Sequence, residues 1–274
     1  MSSVLQKRPS SVRAKCSPEE WEARQELACA YRLFDHFGWH GLIFNHITLR
    51  VPGTGSTFLI NPYGLMYREV TASNLVKIDA DGEIVGESDY PVNRAGFVIH
   101  SALHMARTDA HAIMHTHTNE GVAVSAQEQG LLPLSMGAIG LQGHIAYHEY
   151  EGISLDTDER ERLIRDLGDK NVLILRNHGL LTCGATMADA FMRMRSLQQA
   201  CEIQVMALGG NGTKLHYPAP ETLKVTSDQV NEINKKGGSV HGRKPKEGEA
   251  ASAAELMWAA VQRWMAEKDS SYLN

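Results

Sequence analysis

Strand-like and helix-like segments follow one another along this chain without clean alternation, and that irregular order constrains the fold more than any other feature. The segments "AHAIMHTH" (110–117) and "GHIAYHEYE" (143–151) read as strands. "NHITLRVPGTGSTFLINPYG" (45–64) reads as two strands joined by a Pro-Gly-rich turn, and "VKIDADGEIVG" (76–86) as a hairpin with Asp81-Gly82 at its tip. "NVLILRNHGLLTCG" (171–184) reads as two buried strand pieces bent at Asn177-His178-Gly179. Between them lie segments of helical period. In the first, Ser17 suits the cap, Pro18 the first turn, Glu20 a capping box and Gly38 the exit. Others span 93–109, 118–130, 157–168 and 186–210. Hairpins mixed with helices predict one α/β domain with a central, mostly antiparallel or mixed sheet covered by helices.

The domain is expected over 18–210, after a disordered arm at 1–17. Lys, Gly, Pro and Glu dominate from 211 to 251, which reads as a linker or surface arm. A helix over 252–274, with Ser252 and Glu255 spaced for a capping box, then docks on the main body or on a neighbouring subunit. No apolar stretch approaches the roughly twenty residues of a membrane span, and the basic N-terminus lacks the apolar segment of a secretory signal. The four cysteines form no Cys-x-x-Cys pair. These features point to a cytoplasmic protein without disulfides or thiolate zinc. The net charge of −5 argues against general nucleic-acid binding.

Side chains alternate along a strand, so His115 and His117 share a face, roughly 6.6 Å apart along its axis. Met114 and Ala112 then face the opposite, core side. Two imidazoles so placed can converge on one cation; the pattern alone is a weak signal and also fits a polar, partly exposed strand. His178, in an apolar stretch, needs a buried partner and is the best third ligand, with a backbone carbonyl as the alternative partner. Three imidazoles with an open fourth position make a catalytic rather than a structural centre. His100 and His104 share one helix face; without the Glu of a His-Glu-x-x-His pattern they read as surface or outer-layer residues. His111 is expected beside His115 on the strand face, and His144 and His148 line a pocket or are exposed. His36, His40, His46, His216 and His241 carry no spacing signal and read as ordinary polar residues. Cys183 reads as a buried, inert thiol. The glycine turns lack phosphate-loop context.

"NHIT" (45–48), "MHTHT" (114–118) and "RNHGLLTCG" (176–184) occur in an order that resembles the class II aldolase/adducin family, over roughly Glu19 to Leu208. The resemblance implies an α/β/α fold with a mostly antiparallel sheet, a homotetramer, and one divalent metal, zinc above all with iron or manganese as alternatives, held by His115, His117 and His178. It also implies an acid/base glutamate where this chain has Gly96, and glycine cannot move a proton. Of the phosphate pocket, Asn45 and Gly64 remain, with Tyr63, Arg94 and Ala95 in place of hydroxyl residues. The family's acid tyrosine would fall within 134–137, where this sequence has none. A sugar-phosphate aldolase is therefore not expected.

Arg94 can hold a carboxylate bidentately, and Asn45 can bond substrate or loop. The expected function is a metal-dependent carbon–carbon lyase, a decarboxylase type, acting on a small carboxylated or oxo-acid substrate. A non-catalytic, adducin-like oligomerisation module and an iron-dependent oxygenase are the alternatives.

Overall fold

The computed structural model describes residues 10–152, 157–210, 214–235 and 252–274. A single turn of helix, α1 (Ser10–Arg13), precedes α2 (Pro18–Phe37). Ser17 caps α2 by accepting from Glu20 N, and Gly38 ends it at φ 75°. The expected capping box does not close. The Glu20 carboxylate turns inward to Arg24 and Lys77, each at 3.0 Å, because two cations satisfy a buried carboxylate better than one backbone N–H.

Then follow β1 (Ile47–Arg50), β2 (Phe58–Ile60), β3 (Val76–Ile78), α3 (Arg94–Ala106), β4 (Ala112–Thr116), α4 (Asn119–Ser125) and α5 (Met136–Leu141). Next are β5 (Ile145–His148), α6 (Thr157–Leu167), β6 (Val172–Leu175), β7 (Gly179–Gly184) and α7 (Met187–Leu208). The expected hairpin after β3 is reduced to one bridge, Ile78 to Ile84, around a turn in which the Asp79 carboxylate accepts from Asp81 N and Glu83 N.

The seven strands form one sheet in the order β3-β2-β1-β4-β7-β6-β5. Among the described strands β5 and β6 pair parallel and all other neighbours antiparallel. Strand alternation sends Ile47, Leu49, Ala112, Met114 and Leu180 to one face, packed with α2 and α7. Ile113, Leu181 and Cys183 go to the other, packed with α3 and α6. The result is a three-layer α/β/α arrangement around a mixed, mostly antiparallel sheet.

Two helices lie where no regular structure or only a linker was expected. One is α5. The other, α8 (Pro220–Lys235), sits inside the presumed linker, and its Val230 rests 3.3 Å from where a Cβ on Gly140 of α5 would be. Residues 211–213 and 236–251 of that linker lie outside the described residues, as does most of the presumed N-terminal arm. Helix α9 (Ala253–Lys268) closes its capping box between Ser252 and Glu255 and buries Trp258 and Met265 in the α2–α7 layer.

Candidate metal centre

Antiparallel pairing of β4 with β7 sets His115 opposite Leu181 and Thr116 opposite Leu180. His117 therefore leaves β4 at the same end at which His178 enters β7. The turn between β6 and β7 needs Asn177 at φ 54°, a left-handed conformation that asparagine tolerates. Gly179 is required for a different reason: a Cβ there would lie 2.2 Å from the Thr116 carbonyl oxygen and 3.0 Å from the His117 ring. In Asn-His-Gly, asparagine turns the chain, histidine faces the site and glycine lets the two strand ends close.

Each of the three imidazoles has a ring nitrogen within 4.8 Å of one from each of the others. His115 Nδ1 lies 2.9 Å from the Leu180 carbonyl oxygen. A carbonyl only accepts, so Nδ1 carries the proton and Nε2 presents a bare lone pair. That Nε2 stands 2.6 Å from His117 Nε2, and the His178 ring lies 4.9 Å and 4.7 Å from the other two ring centres. His115 is buried, whereas His117 and His178 are half-buried, so one side of the cluster stays open. Burial, reinforced by the neighbouring imidazoles, holds His115 well below the usual histidine range. Burial and then His178 push His117 down to about 4. All three are neutral at pH 7, the form that ligates a metal. The donor set of three imidazoles, one with its tautomer fixed by a backbone carbonyl, fits a divalent cation.

A second group of imidazoles lies behind the first, on the same sheet face; the sequence shows His100 and His104 as a pair but not their link to Thr48 and His46. His46 and Thr48 alternate with Ile47 and therefore face α3. Thr48 Oγ1 lies 2.7 Å from both His100 Nδ1 and His104 Nε2. His104 Nδ1 lies 2.7 Å from the Ala110 carbonyl oxygen and must donate to it. His104 Nε2 is then an acceptor, so the Thr48 hydroxyl donates there and accepts from His100 Nδ1–H. His100 Nε2 is left as a buried lone pair with no hydrogen-bond partner among the described residues. The His46 ring lies 4.2 Å from His100 and 5.6 Å from His115, linking the two groups. Burial lowers His104 to about 3 and holds His100 well below its ordinary range. Burial excludes the surface alternative for His100 and His104 and agrees with the outer-layer one, whereas the ordinary polar role of His46 is corrected. The available signal was two alternating residues on one strand and an i,i+4 pair on one helix.

The other residues of interest scatter. Asn45 is buried, donates to the Trp39 carbonyl at 3.4 Å, and has an Oδ1 without a hydrogen-bond partner among the described residues. Tyr63 is half-buried, with its backbone N–H on the Pro91 carbonyl, and Gly64 is exposed at φ 102°. Arg94 and Gly96 lie in the first turn of α3; the Arg94 side chain lies outside what is described. His111 is exposed, not beside the site: it sits just outside β4, where its backbone N–H bonds Gly184 and its ring faces solvent. His148 is buried, with Nδ1 2.8 Å from Asp166. Burial pushes the Cys183 thiol up to about 12, as an inert core cysteine requires.

Residues 25–205 match the family of class II aldolase and adducin N-terminal domains. A provisionally named aldolase class 2 protein of Pseudomonas aeruginosa is 44% identical over 264 residues, which cover 96% of each chain. Alpha-adducin of Rattus norvegicus is 51% identical over 192 residues, 69% of this chain but only 26% of the adducin. The crystal structure of an aldolase II superfamily protein from Pseudomonas syringae superposes with a TM-score of 0.87 at 44% identity, over 96% of this chain and all of that one. An L-fuculose 1-phosphate aldolase from Glaciozyma antarctica, at 24% identity and a TM-score of 0.75, shares the fold over 98% of this chain and 97% of its own. The matched segment spans well over half of the sequence, so the chain belongs to the class II aldolase and adducin family.

Proposed function

We propose that the protein is a metal-dependent carbon–carbon lyase acting on a small carboxylated or oxo-acid substrate, with decarboxylation as the reaction. The observation that carries this reading is the convergence of His115, His117 and His178 at an open strand end. These three residues would hold one divalent cation, zinc before iron or manganese. When bound, such a cation polarises a substrate carbonyl as a Lewis acid.

The chain's own residues prepare for that chemistry. The Leu180 carbonyl keeps the His115 lone pair aimed inward, and Gly179 keeps His117 close. Arg94, in the first turn of α3, anchors the carboxylate of the substrate. Asn45 holds the loop before β1 through Trp39, and in this reading Tyr63 and Gly64 would contact the substrate. Gly96 offers no proton acceptor. Breaking the carboxylate–carbon bond of a β-keto acid needs none to begin, because CO2 leaves as the electron pair passes into the β-carbonyl, and the resulting enolate carbon then takes a proton from solvent. The protein works as a homo-oligomer, a tetramer by analogy with its family.

A second reading is favoured by one observation, the 51% identity to an adducin segment together with the absence of an acid at position 96. In it the chain is a non-catalytic oligomerisation module. The two readings separate in one experiment. Protein loaded with zinc, iron or manganese is assayed for CO2 release from a panel of β-keto acids that includes oxaloacetate. Metal-dependent release that disappears in His117→Ala supports the lyase. Full metal occupancy with no release from any member, or failure to take up metal, supports the module.

A further inference from the structure

The pairing of β5 with β6 is parallel, so the segments leaving both strands emerge side by side at the same end of the sheet. Ligand sites in α/β sheets favour such carboxyl ends. The segment after β6 delivers His178, and the segment after β5 delivers Tyr150. The Tyr150 ring lies 6.5 Å from the His178 ring, edge-on at 77°. Tyr150 is 55% exposed, and its hydroxyl makes no hydrogen bond to any described residue. Tyr147, three residues earlier, shows the contrast: its hydroxyl accepts from Leu131 N at 3.0 Å and its ring is covered by Arg176 at 4.4 Å. Tyr31 is likewise consumed, by the backbone of Ile47 and by Asn61.

A phenol is a neutral O–H donor at pH 7. It adds no negative charge beside a cation site and suits an anionic oxygen as acceptor. Sites for small ligands are built from an apolar wall and a few polar groups that converge on one place. Tyr150 supplies both, its ring as wall and its hydroxyl as donor, beside the His178 ring. We propose that Tyr150 is a substrate-contacting residue of this site, donating its hydroxyl to a carboxylate or oxo oxygen of a small acid held beside His178. The proposal rests on the metal-dependent reading above.

The test uses the full chain loaded with zinc and oxalate as the probe, with affinity read by titration calorimetry, in the wild type and in Tyr150→Phe. The substitution keeps the ring and removes only the hydroxyl of an exposed residue, so folding is not at stake. The expected result is an unchanged zinc content of one equivalent and oxalate affinity about tenfold weaker, the loss of one hydrogen bond to a charged acceptor. Equal affinity in the two proteins overturns the role of Tyr150 and leaves the metal reading intact. Zinc uptake without oxalate binding by the wild type also overturns it alone. A wild type that takes up no zinc overturns both.

Discussion

Two groups of imidazoles occupy the same sheet face, and they resolve the same physical problem in opposite ways. In each, a backbone carbonyl fixes a tautomer: Leu180 for His115 and Ala110 for His104. Between His104 and His100 one hydroxyl, Thr48, deep in the core, takes up the lone pair of His104 Nε2 and the proton of His100 Nδ1. Around His115, His117 and His178 no hydroxyl intervenes, the nitrogens face one another, and one side is open. Histidine content therefore does not distinguish a ligand cluster from a structural one. What distinguishes them is whether a hydroxyl already joins the facing nitrogens, as Thr48 joins His100 Nδ1 to His104 Nε2.

The difference predicts separable losses. His117→Ala should lower the metal content of the zinc-treated protein from one equivalent to less than about a tenth, while the folded state persists; retained metal would assign the cation elsewhere. Thr48→Val should do the reverse. It leaves His100 Nδ1–H and His104 Nε2 buried without partners, each costing about 1–3 kcal/mol. The denaturation midpoint should drop accordingly with zinc content unchanged, and a midpoint like that of the wild type would contradict the assigned bonds. Gly179→Ala should affect both readouts. The added Cβ would meet the Thr116 carbonyl oxygen at 2.2 Å, which forces the strand ends apart at a cost of about 1–3 kcal/mol and weakens zinc binding; unchanged zinc affinity would show that the close approach does not shape the site.

A smaller effect is set by pH. His117 at about 4 and His104 at about 3 both titrate below the ordinary 6.5. The unfolded chain therefore binds protons that the folded chain refuses between those values. This part of the stability is complete above pH 6.5 and is lost as pH falls towards 4 for His117 and 3 for His104. In chelator-treated protein the urea midpoint should be lower at pH 5 than at pH 7.5. Equal midpoints would mean that these rings are accessible to protons in the folded state.

Much of this was legible in the sequence. Alternation around Met114 placed His115 and His117 on one face, and the apolar surroundings of His178 singled it out. What stayed hidden depends on partners distant in sequence. Thr48 meets His100 across 52 residues and His104 across 56, and no local spacing announces that. Glu20 has the position of a capping-box residue, yet it pairs with Lys77, 57 residues away. Helix α8 lies in a segment whose composition resembles a linker. The approach of His178 to His115 and His117 depends on the antiparallel pairing of β4 with β7, which brings its turn against the end of β4.

The most direct test of the central contrast is zinc titration of metal-free protein with nitrogen-15 in its thirteen histidines, followed by long-range nitrogen–proton NMR. The account predicts that the resonances of His115, His117 and His178 move together and saturate at one equivalent. His100 and His104 should remain Nδ1-protonated throughout. Saturation at one equivalent with shifts at His100 and His104, or no shift at any of the three, would contradict it.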